Sequence, residues 1–159
     1  MKHLFTYNWM IRDEWFDLLA DIPKKELTLS RTGGPGTILE TLFHIVKVEH
    51  NWIRDLKERP ISSTTYADMD DKLEKIRELS DRFHEEVREF VMEWDGSSEG
   101  RMLHLTGGNG NEIRCTYGEA LRHIIVHEVH HIGQLSIWAR EIGIPPVSSN
   151  LIHRRIMLA

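Results

Sequence analysis

The strongest constraint on this chain is helical periodicity: apolar residues recur at three- and four-residue steps along four long stretches and in little else. The first, residues 3–20, carries Leu4, Tyr7, Ile11, Trp15, Leu18 and Leu19 on one face and stops before Pro23. After the turn-rich "SRTGGPGT", Thr37 and Glu40 stand three apart in a capping-box pattern. They open a second helix that runs to about residue 57, before Arg59 and Pro60, with an apolar arc of Ile38, Leu42, Ile45, Val48, Trp52 and Ile53. Thr65 and Asp68 repeat the pattern and open a third helix through "DDKLEKIRELSDRFHEEVREFVMEW", ended by Gly96. Its many opposite-charge pairs four residues apart mark a solvated outer face. Thr116 and Glu119 start a fourth helix that ends at Gly143, before Pro145 and Pro146. Between the third and fourth, "RMLHLTGGNGNEIRC" places two short alternating runs around a Gly-Asn-Gly turn, which predicts a small β-hairpin.

Long helices with connections of modest length predict an all-α fold, an up-down antiparallel four-helix bundle with the hairpin in the link between the third and fourth helices. A chain of 159 residues suits one domain, residues 1–159, with a proper hydrophobic core. Its 20 basic against 25 acidic residues leave a formal charge of −5, so nucleic acid is not an expected partner. No apolar run approaches the ~20 residues of a membrane span. The single Cys115 cannot form an internal disulfide and reads as a small buried residue at the end of the hairpin. The start "MKHLFTYNWMIRDEW" is broken by Asn8, Arg12, Asp13 and Glu14 too early for a secretory signal, so a cytoplasmic address is expected.

The chemistry lies in the histidines. Four of the ten stand between His123 and His131, and "HEVHHIGQL" matches H-E-x-x-H through His127, Glu128 and His131. On a helix His127 and His131 lie roughly 40° apart, one turn above the other, so both can reach one metal ion. Gln134 and Trp138 continue that face, and His123 falls near it. His130 is rotated about 60° to the other side. About 0.6 such pairs are expected by chance among ten histidines, so the spacing argues only in context. A third ligand should come from a facing helix. The second helix offers His44, at the margin of its apolar arc, and His50, closer to the polar side. Glu49 lies within that arc, where a carboxylate needs a partner such as a ligand imidazole or an arginine.

A zinc protease reading fails on its further demands. The extended motif needs glycine at position 134 and histidine at 137, where this chain has Gln134 and Ile137, and the hairpin is the one candidate sheet edge for a peptide. Glu128, about 100° round the helix from His127, is expected to face a neighbouring helix rather than to act as a general base.

These residues resemble the DinB and YfiT group of metal-binding four-helix bundles. The likeness covers essentially the whole chain: "YNWMIRDEW" on the first helix, "TILETLFHIVKVEHNWI" on the second, "TYGEALRHIIVHEVHHIGQL" on the fourth, and a Pro-Pro tail. The resemblance implies His44, His127 and His131 as ligands of a divalent ion, nickel or zinc. Gln134 matches the glutamine of the family pattern, and Glu49, His123 and Gln134 are the candidates to stand behind the ligands. The tail departs at Asn150, where an aspartate is common. Members of the group include thiol S-transferases that use low-molecular-weight thiols such as bacillithiol, mycothiol-dependent isomerases and metal-dependent hydrolases. The implied function is therefore a metal-dependent transferase acting through an activated thiol, or a related hydrolase on a small-molecule substrate. The alternative is a stress-induced protein that binds metal or a small ligand without catalysis.

The fourth helix also bears on assembly. Besides its histidine face it carries Ile125, Val129, Ile132 and Ser136, extended by Val126, Gly133 and Ile137. A helix apolar on two faces must be covered twice, which predicts a homodimer.

Overall fold

The computed structural model describes residues 1–107, 110–154 and 156. Among them, helices dominate: α1 (Lys2–Leu19), a short α2 (Lys24–Leu27), α3 (Ile38–Leu56), α4 (Leu73–Glu93) and α5 (Tyr117–Glu141), with a hairpin of β1 (Met102–Thr106) and β2 (Glu112–Thr116) before α5. The caps follow the local code. Thr37 Oγ1 accepts from the Glu40 amide at 3.0 Å at the start of α3, and Thr116 and Glu119 form both bonds of a capping box at the start of α5. Gly143, with φ 78°, follows the last turn of α5. The strands pair antiparallel from Met102 against Thr116 to Thr106 against Glu112. Leu103, Leu105 and Cys115 turn inward on the alternating pattern, with Cys115 half-buried. Of the expected Gly-Asn-Gly turn, Gly108 and Asn109 lie outside the described residues, as does the end of the tail.

Two expectations are corrected. Thr65 and Asp68 do form a capping box, but it caps only the single 3-10 turn Tyr66–Met69. Asp70 and Asp71 then take φ of 52° and 51°, a left-handed kink that short polar side chains tolerate, and α4 begins at Leu73. The order of helix directions also differs from a simple up-and-down alternation. Along α3 and α4, His50 and Arg54 meet Glu86 while Lys57 meets Glu89, so both helices run the same way. The segment between them doubles back along α3: Ser62 is held by Asn51, Thr64 by Lys47, and Tyr66 lies against Phe43. That returning link lets α4 start at the same end as α3. α1 and α5 run the opposite way, with Asn8 bonded to Ile125 and Arg12 to Glu128.

Apolar side chains form two cores, one at each end of the long helices. Ile11, Trp15, Leu39, Leu42, Ile76, Leu135 and Trp138 belong to one. Phe5, Trp9, Ile53, Val87, Leu121 and Ile124 belong to the other. On α5 the break between them falls between Ile125 and Ile132, and on α3 between Val46 and Ile53. Those gaps hold Glu128, His131, Glu49 and His50, all buried. A polar layer therefore divides the apolar interior. The stripe expected on the outside of α5 is split likewise: Ile125 and Ile132 are buried, whereas Val126, Val129 and Ile137 are 65%, 45% and 58% exposed. No helix among the described residues is long and apolar enough to cross a membrane.

Candidate metal centre

His44 from α3 and His127 and His131 from α5 converge at one edge of the polar layer. One ring nitrogen from each lies within 4.8 Å of the other two. His127 Nε2 is 2.9 Å from His44 Nε2 and 3.1 Å from His131 Nε2, and the three ring centroids are 4.5 to 4.9 Å apart. Two imidazole nitrogens sharing a tetrahedral ion at ~2.05 Å sit about 3.3 Å apart, so these spacings suit a common ion. His44 and His127 are half-buried and His131 is buried. Burial first, then the neighbouring imidazoles, lowers the pKa of His44 to about 4 and of His127 to about 3. Burial also lowers that of His131. All three rings are therefore neutral near pH 7, the form in which imidazole donates a lone pair.

Gln134 orients the cluster. Its Oε1 accepts from His131 Nδ1 at 2.7 Å, which places the ring proton on Nδ1 and turns the lone pair of Nε2 toward His127. Its Nε2 lies 3.2 Å from Nε2 of the exposed His130. The glycine loop before α3 closes over this amide. Gly34 has φ 56°, and a Cβ there would come within 2.6 Å of Gln134 Oε1 and 3.3 Å of Trp138. Sequence reading saw this loop only as a turn; its paired glycines were the available signal of close approach. His123 is exposed, with its ring centroid 5.7 Å from that of His127 and 5.4 Å from that of Trp52. It flanks the cluster without a hydrogen bond to it. His50 points away, stacked on Phe83 at 3.6 Å and bonded to Glu86 at 3.1 Å.

The two glutamates near the histidines go elsewhere. Glu128 is 1% exposed and takes a two-pronged bond from Arg12, Nε to Oε1 at 2.9 Å and a terminal nitrogen to Oε2 at 2.6 Å. The same Arg12 nitrogen is 2.7 Å from Glu49 Oε2, and Trp9 Nε1 donates to Glu49 Oε1 at 2.8 Å. Of the two partners expected for Glu49, the arginine holds it and the ligand imidazole does not. Glu128, sealed against α1, has no path to a substrate water, which removes the base that a zinc protease needs. Burial above all pushes the Glu128 carboxyl up, against the pull of Arg12. Arg12 itself escaped sequence reading. An asparagine and an arginine four apart on the otherwise apolar face of α1, together with a carboxylate in the arc of α3, were the signals.

Three neutral imidazoles from two facing helices, one of them oriented by an amide, can hold a divalent ion and leave coordination positions open. The chain is 38% identical over 156 residues, 98% of its length, to the uncharacterized protein YizA of Bacillus subtilis (strain 168), of which 96% is covered. The DinB family pattern matches residues 1–155, and the protein belongs to the DinB family.

Proposed function

We propose that the protein is a metal-dependent transferase, or a related hydrolase, whose divalent ion is held by His44, His127 and His131, with nickel and zinc as the candidate ions. The observation that carries the reading is the convergence of three imidazole nitrogens within 4.8 Å, each neutral at pH 7. An ion there supplies a +2 charge and open positions that lower the pKa of a thiol or of water into the neutral range. The protein's own part is to present lone pairs without competing protons. Gln134 does this for His131 by fixing its tautomer, and burial does it for His44 and His127 by keeping them uncharged. A low-molecular-weight thiol is the proposed nucleophile, and a small electrophile the second substrate. The reading takes the four long helices as one bundle and the chain as one cytoplasmic domain, with the site in the bundle's polar layer. It includes a homodimer, supported by the exposed Val126, Val129 and Ile137 on α5, and sedimentation as monomer alone at micromolar concentration would remove that part.

Metal content decides the main claim. His44→Ala removes one of three ligands, and its affinity for zinc or nickel should fall by several orders of magnitude. Glu128→Gln leaves the imidazoles untouched and Arg12 matched by Glu49, so it should keep a full equivalent of metal. Elemental analysis and equilibrium dialysis of both variants check this. A full equivalent retained by His44→Ala would refute the site.

A further inference from the structure

Three turns along α3 from His44, about 16 Å away, the helix and the β-hairpin enclose a cleft of two adjoining lobes. One, about 590 Å³, is lined by Asp55, Pro60, Met102, Leu103, Leu105 and Tyr117 among others. The other, about 260 Å³, is lined by Val48, Trp52, Asp55, Ile61, Leu105 and Ile113 among others. Asp55 and Leu105 belong to both. The walls are largely apolar, and at the mouth Ile61 and Met102 are 54% and 51% exposed, a large apolar area left open to water.

The other charged side chains lining this cleft have ion-pair partners. Glu58 is paired with Arg101, and Arg59 with Glu86 at 3.2 Å, a carboxylate it shares with Arg54 and Lys57. Asp55, half-buried, has no hydrogen-bond or ion-pair partner for its side chain among the described residues. Burial holds its carboxyl above the usual range, and no neighbouring cation offsets it. A carboxylate partly withdrawn from water without a partner is costly, and a bound cation recovers that cost through a charge-assisted hydrogen bond. Beside Asp55 the lining includes the polar Asn51, Glu58, Arg59, His104 and Thr106, and a partly apolar cleft with a few polar groups is the usual form of a small-molecule site.

We propose that the cleft binds an organic cation, an amine or guanidinium on an apolar body, with its charge against Asp55 and its body against Trp52, Leu105 and Ile113. This site stands apart from the metal reading, because no residue of the imidazole cluster lines it. The test is an NMR titration of the full ¹⁵N-labelled chain, with a chelator present, using phenethylamine, agmatine and spermidine beside 2-phenylethanol and phenylacetate. At least one amine should give saturable shifts centred on Asp55, the Trp52 indole and the amides of Leu103 and Leu105. The uncharged alcohol should bind the wild-type protein about tenfold more weakly than the matching amine, and Asp55→Asn should weaken the amine by a similar factor. The alcohol comparison needs no variant and so does not depend on Asp55→Asn folding. Failure of every amine to saturate below about 10 mM, equal binding of amine and alcohol, stronger binding of phenylacetate, or unchanged affinity in a folded Asp55→Asn would each overturn the proposal.

Discussion

The imidazole cluster and the Arg12 network lie in the same polar layer and both draw on α3 and α5, the network adding α1, yet they are built on opposite principles. His127 and Glu128 are consecutive on α5, about 100° apart around the helix axis. The first turns to α3 and remains half-buried, and the second turns to α1 and is 1% exposed. In the network every charge has a partner: Arg12 holds both carboxylates and Trp9 adds a donor to Glu49. In the cluster three neutral nitrogens face one another, with at most one proton to share at each short contact. A set of partnered charges sealed from water holds helices in place. A set of lone pairs aimed at one point and open on one side can take up something from outside. The H-E-x-x-H spacing brings both outcomes out of adjacent residues, and only the identity of the facing helix separates them.

The largest expected effect tests the sealed half. Arg12→Met strands two buried carboxylates and should cost about 3–5 kcal/mol of stability, read as a lowered midpoint in urea denaturation. Adding Glu49→Gln and Glu128→Gln to it should restore much of the loss. An Arg12→Met midpoint equal to that of the wild type would mean that the network contributes nothing to the packing of α1 on α3 and α5.

A middle effect tests the open half. Gln134→Leu removes the acceptor that orients His131, and metal affinity should fall about 10–100-fold with little change in the stability of the metal-free protein. Competition against a chelating dye measures the first quantity, and chemical denaturation the second. Unaltered affinity would mean that packing alone orients the His131 ring.

The smallest effect concerns protons. The folded pKa values of His44 and His127, about 4 and 3, lie below the unfolded value of about 6.5. Above pH ~6.5 neither state carries these protons and they contribute nothing. As pH falls from there the unfolded chain takes up protons that the folded cluster refuses, so stability declines, and the decline ends near the folded values. Metal-free protein should therefore lose melting temperature between about pH 6.5 and 5, above most carboxylate titrations. His127→Gln should show a shallower loss. The same slope in both proteins would assign the titration to other groups.

Much of the fold was readable from short-range signals. Thr37 with Glu40 and Thr116 with Glu119 mark helix starts because capping bonds span three residues, and the hairpin strands announce themselves by alternation. His127 and His131 share a face by helix geometry alone. The same local logic misled at Thr65 and Asp68, where a correct capping box opened one turn only, because Asp70 and Asp71 break the helix two residues later. What lay beyond reach depends on contacts between residues far apart in sequence. That α3 and α4 run in the same direction follows from a link that threads back along α3, and its bonds to Lys47 and Asn51 have no sequence period. That Glu49 and Glu128 meet at one guanidinium, while His44 meets His127, follows from which face of α1 and of α3 each side of α5 touches. Periodicity states which residues share a face, because that is set within a few turns of backbone. Which helix covers the face, and hence whether a polar side chain there is sealed or open, is set by the packing of the whole chain.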